Sequence, residues 1–121
     1  HRKRMKRLKD DRFVKMIPLT QGKWAFVSAS DYDRLMKHKW HASQHQRPHH
    51  TPRWYARCHV GGKKIYMHRM LLEPEPWLVV DHIDGNSLNN TRENLRAVTH
   101  AENSANRKLS DQEKEDREPF L

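Results

Sequence analysis

The sequence predicts an α+β fold: a small three-stranded antiparallel sheet with a short helix, followed by a strand–loop–strand–helix unit. Three observations carry that expectation. Gly61-Gly62 lies between the runs Trp54–His59 and Lys63–His68, and two adjacent residues that can take positive φ mark a tight hairpin. Pro74 and Pro76 then stop whatever helical turn begins at Arg69. Beyond them, Leu78–His82 and Leu95–Val98 read as strands flanking a loop rich in Asp, Gly and Asn, and Thr99 stands where a helix should be capped.

Taken in chain order, residues 1–15 form a basic arm in which Arg2, Lys3, Arg4, Lys6, Arg7 and Lys9 are nearly contiguous. Like charges at that density repel, so the arm is expected to be flexible or marginally helical. Residues 16–68 are expected to form a β-rich module. Lys23–Ser28 reads as a strand after the turn-prone Gln21-Gly22, and Asp31–Lys39 as a helix capped by Ser30 or Asp31, with Tyr32, Leu35 and Met36 at core spacing. Trp40–Ser43 adds a strand, and Gln44–Arg53 a polar loop. Trp24, Phe26, Trp40 and Trp54 are assigned to the core, because packing is the usual fate of aromatics in so small a domain. Residues 69–108 make the strand–loop–strand–helix unit, whose helix runs from about His100 to Lys108 with Glu102 completing a capping box with Thr99. Residues 109–121 are an acidic tail.

Composition narrows the function classes. The 121 residues carry 24 Lys and Arg against 15 Asp and Glu, a formal net charge of +9. Residues 110–121 hold five acids and two bases, so the remainder carries +12. A body that basic attracts polyanions, although a merely solvated basic surface has the same composition. Mean hydropathy is −1.14, and the longest apolar run, Trp77–Val80, is strand-sized, so no membrane association is expected. A single cysteine, Cys58, excludes an internal disulfide and points to a reducing cytoplasm. The histidines His38, His41, His45, His49, His50 and His59 lack cysteine-supported ligand spacing, so a zinc-stabilised interaction module is only an alternative.

The polar residues of the last unit fall at informative places. Asp81 and His82 end a hydrophobic strand, Asn94 opens the next, and Asn103 lies one turn into the helix with Asn106 on the same face. A carboxylate, an imidazole and an amide can thereby meet in one small volume. An imidazole takes a proton from water near neutral pH, and the two oxygen donors suit a hard, well-hydrated divalent cation. An EF-hand is excluded, because counting from Asp81 puts Ile83 and Gly85 where oxygen ligands belong.

These residues resemble a known family. Val80-Asp81-His82-Ile83-Asp84-Gly85-Asn86, Leu88-Asn89-Asn90, Asn94-Leu95-Arg96 and Asn103 look like the HNH endonucleases with their ββα-metal motif, particularly the homing-endonuclease and bacteriophage branch. Met67-His68-Arg69 fits that branch, and Asp31-Tyr32 with Lys39-Trp40 resembles the three-stranded DNA-binding module fused ahead of it. The resemblance covers Ile17 to Arg107. It implies a bacterial or bacteriophage-encoded DNA endonuclease, monomeric or weakly dimeric, leaving 5′-phosphate and 3′-hydroxyl ends. His82 would be the general base, Asn94 the structural asparagine, and Asp81 and Asn103 the ligands of one divalent ion. The family's third letter is often His; with Asn103 in its place, Mg²⁺ is favoured, with Mn²⁺ second. His68 is expected to buttress His82, contact phosphate or make a core-edge hydrogen bond. Arg53, Arg57, Lys63, Lys64, Arg69, Arg92, Arg96 and Arg107 are the candidates for DNA contact, chiefly through phosphates. A DNA-binding regulator that keeps the fold without the chemistry is the other alternative.

Overall fold

The computed structural model describes residues 13–46, 48–49 and 51–105. Most of the basic arm, the acidic tail, Asn106, Arg107 and Lys108 lie outside the described residues. The fold is α+β, and among the described residues no helix is long and apolar enough to cross a membrane.

The chain opens with strand β1 (Val14–Pro18) paired antiparallel to β2 (Trp24–Ser28), with Met16 opposite Phe26 and Pro18 opposite Trp24. Alternation sends Ala25 and Val27 into the core and leaves Trp24 46% exposed, so Trp24 is not the core residue its type suggested. Helix α1 (Ala29–Leu35) starts two residues before the expected position and ends four before it. Ser28 is its N-cap by backbone, but the Ser28 hydroxyl accepts the Arg92 amide at 3.0 Å rather than one of the helix's own. Leu35 is fully buried, whereas Met36, just past the helix, is exposed.

The predicted three-stranded sheet is present, as β3 (His41–His45), β4 (Arg53–Val60) and β5 (Lys63–Tyr66), all antiparallel. Gly61 and Gly62 take φ of 56° and 80°, the paired positive values that a two-residue hairpin matching strand twist requires. One face of this sheet, through Ala42, Ala56 and Cys58, is buried. The register places His41, Ser43 and His45 opposite Arg57, Tyr55 and Arg53, so the other face is polar and basic. Helix α2 (Met67–Leu72) follows without a break, takes over the last two residues of the expected strand, and ends at Glu73 in the left-handed region just before Pro74.

Strands β6 (Val79–His82) and β8 (Leu95–Val98) form the expected second hairpin, with Asp81 opposite Arg96 and His82 opposite Leu95. The loop between them is more than a turn. Its residues Asn89–Asn90 form β7, which pairs in parallel with β2, and Arg92–Asn94 make one 3-10 turn. The insertion therefore completes a sheet of order β1-β2-β7 that joins the first strands of the chain to the last hairpin. A buried ion pair reinforces the joint. Asp31, 2% exposed, accepts from Arg92 Nε at 2.9 Å and Nη2 at 2.6 Å. The main apolar cluster draws Ile17, Ala25 and Val27, Leu35 and Trp40, Ala56 and Cys58, Met67 and Leu71 together with Leu95. A smaller one holds Leu72, Leu78 and Ala97. Residues 100–105 are helical, and Thr99 caps them reciprocally: its hydroxyl accepts the Glu102 amide at 3.1 Å, and Glu102 accepts the Thr99 amide at 3.0 Å.

Candidate active site

The second hairpin sets the site. Because β6 alternates, Asp81 and His82 leave the strand on opposite sides. His82 turns toward α2 and the polar face of β4, where its ring packs 5.0 Å from His68 and 6.2 Å from Tyr55. It is 8% exposed. Burial pushes its pKa below the ordinary imidazole value, against the opposing influence of a hydrogen bond to Asn90 and the carboxylates Asp81 and Asp84, with Arg53 adding to the depression. His82 is thus a neutral base at pH 7, able to accept a proton.

Asp81 lies across the hairpin from Arg96, whose Nε and Nη2 both donate to Oδ2 at 3.0 and 2.8 Å. Both bonds fall on one carboxylate oxygen. The other oxygen takes no hydrogen bond among the described residues, and neither does the side-chain amide of Asn103. A carboxylate oxygen and an amide carbonyl are hard donors of the kind that a well-hydrated divalent cation takes. Among the described residues no group of three or more His, Cys, Asp or Glu is arranged to hold a metal.

Asn94 organises the insertion. Its side-chain amide donates to Asp84 Oδ1 and to the Asn89 carbonyl, both at 2.8 Å, while its own Oδ1 accepts the Asp84 amide at 2.9 Å. Its backbone carbonyl accepts from Ile83 at 2.9 Å. Burial opposes the charge of Asp84, yet hydrogen bonds from Asn89, Asn86 and Asn94 outweigh it and hold the carboxyl below its usual value. These bonds tie Asn94 to Asp84 and Asn89 within the insertion. The imidazole, however, is held by another residue: His82 Nε2 lies 2.8 Å from Oδ1 of Asn90. Sequence reasoning assigned Asn90 no role, because in a polar loop it looks like any turn asparagine. Its signal is tertiary, since only pairing with β2 buries it.

Beside this hairpin is a cavity of about 380 Å³ lined by His45, Tyr55, Tyr66, His68, Arg69, Val79, Val80, His100, Asn103 and Ser104. Asn103 thereby shares a cavity wall with the first half of β6, and Asp81 and His82 come next along the same strand. His45 and Tyr66 are hydrogen-bonded at 3.0 Å. His68, one of the more buried histidines, has Nδ1 without a partner. Burial, and then the proximity of His82, Arg69 and His45, pushes its pKa down to about 3. It is neutral at physiological pH, and its ring buttresses that of His82.

The cations divide. Lys63 and Lys64 are exposed, and Arg53 shares the polar sheet face with Arg57. Arg57 Nε is buried without a partner. Arg69 donates to the Leu78 carbonyl at 3.1 Å while lining the cavity. Arg92 is engaged by Asp31 and Arg96 by Asp81, so these two arginines hold the fold and the site together in the first place. Arg107 lies outside the described residues.

Comparison with known proteins points to the segment that holds the second hairpin. Residues 66–105 match the HNH endonuclease family. That HNH segment contains His68, Asp81, His82, Asn90, Asn94 and Asn103. Over 100 residues the chain is 33% identical to an uncharacterized HNH endonuclease of Acanthamoeba polyphaga mimivirus, covering 78% of this chain and 49% of that protein. The chain thus spans about half the length of this curated relative. No solved structure matches.

Proposed function

We propose that this chain is a metal-dependent DNA endonuclease that hydrolyses phosphodiester bonds to 5′-phosphate and 3′-hydroxyl ends. The observation that carries the reading is His82, a buried, hydrogen-bonded imidazole that follows Asp81 on β6 of the HNH segment. His82 accepts a proton from water, whose oxygen bonds to phosphorus as the bond to the 3′ oxygen breaks; that oxygen leaves and is protonated by solvent. Asp81 and Asn103 would hold one divalent ion, Mg²⁺ before Mn²⁺. When bound, the ion supplies positive charge to the phosphate and the departing oxygen. Asn94 keeps the insertion closed, and Arg96 holds one oxygen of Asp81.

DNA is the substrate in this reading. The polar face of β3–β4–β5 carries Arg53, Arg57, His41 and His59, and it runs through Tyr55 to His82, giving a phosphate backbone a basic path to the base. Residues 16–68 would supply that path and residues 69–108 the chemistry. The spacing of Asp81-His82, Asn94 and Asn103 supports the homing-endonuclease and bacteriophage branch. A single site per monomer or weak dimer would cut strands one at a time.

Plasmid relaxation in Mg²⁺ tests the reading. The protein should convert supercoiled DNA to nicked or linear forms, and His82→Ala should lower the rate by about 10²–10⁴-fold. Asp81→Ala should stop cleavage while DNA binding by gel shift persists, as should chelation of the metal. Equal cutting by wild type and His82→Ala, or no cutting by wild type across metals and salt, would defeat the assignment.

A further inference from the structure

We propose that Asn90 is a positioning residue that locks His82 in the Nε2–H tautomer and so leaves Nδ1 as the atom that takes the proton. The inference rests on the endonuclease reading for its catalytic consequence, but its structural content stands apart from it. Nε2 of His82 lies 2.8 Å from Oδ1 of Asn90. A carbonyl oxygen only accepts, so in this arrangement the hydrogen is on Nε2; a neutral imidazole has one such hydrogen, and Nδ1 is left with its lone pair.

The amide is held as a rigid clamp. Asn90 is fully buried, and its backbone pairs with Val27 of β2. The preceding peptide is fixed as well, since the Asn89 carbonyl accepts from the Asn94 side chain at 2.8 Å and Asn89 Oδ1 accepts from the Thr91 hydroxyl at 2.9 Å. Alternation along β7 then separates the two asparagines, Asn89 donating to Asp84 at 2.9 Å and Asn90 facing the imidazole.

Packing does not account for an amide at this place. Nδ2 of Asn90 is buried with no hydrogen-bond partner, and an unmatched buried donor is costly. A leucine has the same branching at Cγ and no polar atom to leave unmatched. The bond to His82 is what the amide provides and leucine cannot. It also gives the parallel pairing of β7 with β2 a consequence for chemistry: the first sheet of the chain carries the group that sets the protonation pattern of the base on the last hairpin.

The experiment is long-range ¹H–¹⁵N correlation on protein labelled with ¹⁵N-histidine, recorded near pH 8 with the His82 signals assigned by their loss in His82→Gln. The wild type should show the Nε2–H form of His82. Asn90→Asp, which keeps the acceptor oxygens, should retain that form. Asn90→Leu should populate both tautomers, and should lower kcat of plasmid nicking by about 10–100-fold with KM changed less than about twofold. An Nδ1–H form in the wild type would overturn the proposal without any variant, because it would mean that the amide donates to Nε2. A folded Asn90→Leu protein with the wild-type tautomer would overturn it too. Absence of nuclease activity together with the Nε2–H form would count against the endonuclease reading and leave the positioning role of Asn90 standing.

Discussion

Replacing His68 with phenylalanine should flatten the acid side of the protein's stability profile. His68 is buried against His82, Tyr55 and Tyr66, and burial is the main reason its pKa falls from 6.5 to about 3. Between those two values the unfolded chain binds a proton that the folded protein refuses. Acid therefore favours unfolding there. The contribution of the neutral imidazole is complete above pH 6.5 and is lost as the pH falls toward about 3. At about 1.4 kcal/mol per pH unit the full loss has a ceiling of about 5 kcal/mol, and about 2–3 kcal/mol of it falls between pH 7 and pH 4.5. Urea unfolding at a series of pH values, for wild type and His68→Phe, measures the difference directly. Phenylalanine retains the ring contacts and removes the titrating group, so any packing defect shifts the variant equally at every pH. The gap between the curves should change by about 2–3 kcal/mol from neutral to acid. Parallel curves would refute the reasoning, because His68 would then take its proton inside the intact fold.

Three further outcomes follow from individual contacts. Asp31→Ala leaves the Arg92 guanidinium without its buried partner and should cost about 3–5 kcal/mol in urea unfolding, part of which an added Arg92→Leu should restore. Thr99→Ala removes the hydroxyl that caps the helix carrying Asn103, and should lower stability by about 1 kcal/mol together with metal-dependent cleavage. Gly62→Ala meets no atom within 4 Å but must adopt φ of 80°, so a thermal melt should show a loss of about 1–2 kcal/mol from backbone strain alone, with cleavage unaffected.

Much of the candidate site was legible because it is local. The strand ending in Asp81-His82, the bracing Asn94, the Thr99–Glu102 capping box and the Gly61-Gly62 hairpin all follow from periodicity, turn chemistry and capping, which act over a few residues. The charged residues were less legible. Arg92 and Arg96 look like phosphate contacts in a basic chain, yet each has a carboxylate partner, 61 and 15 residues away along the chain. Trp24 was misplaced for a related reason: aromatic type favours burial, but alternation against β1 puts it on the outer face.

The sequence by itself determined the α+β class, the two hairpins and the helix cap. Each of these depends on a residue's own conformational preference or on spacing within one element. Only the tertiary structure decided that the loop after His82 becomes β7 and crosses to β2, that Asp31 anchors Arg92, and that Asn90 holds the imidazole. Those outcomes are pairings between segments far apart in the chain. Their stability comes from burying matched polar groups, which no short window of residues can reveal.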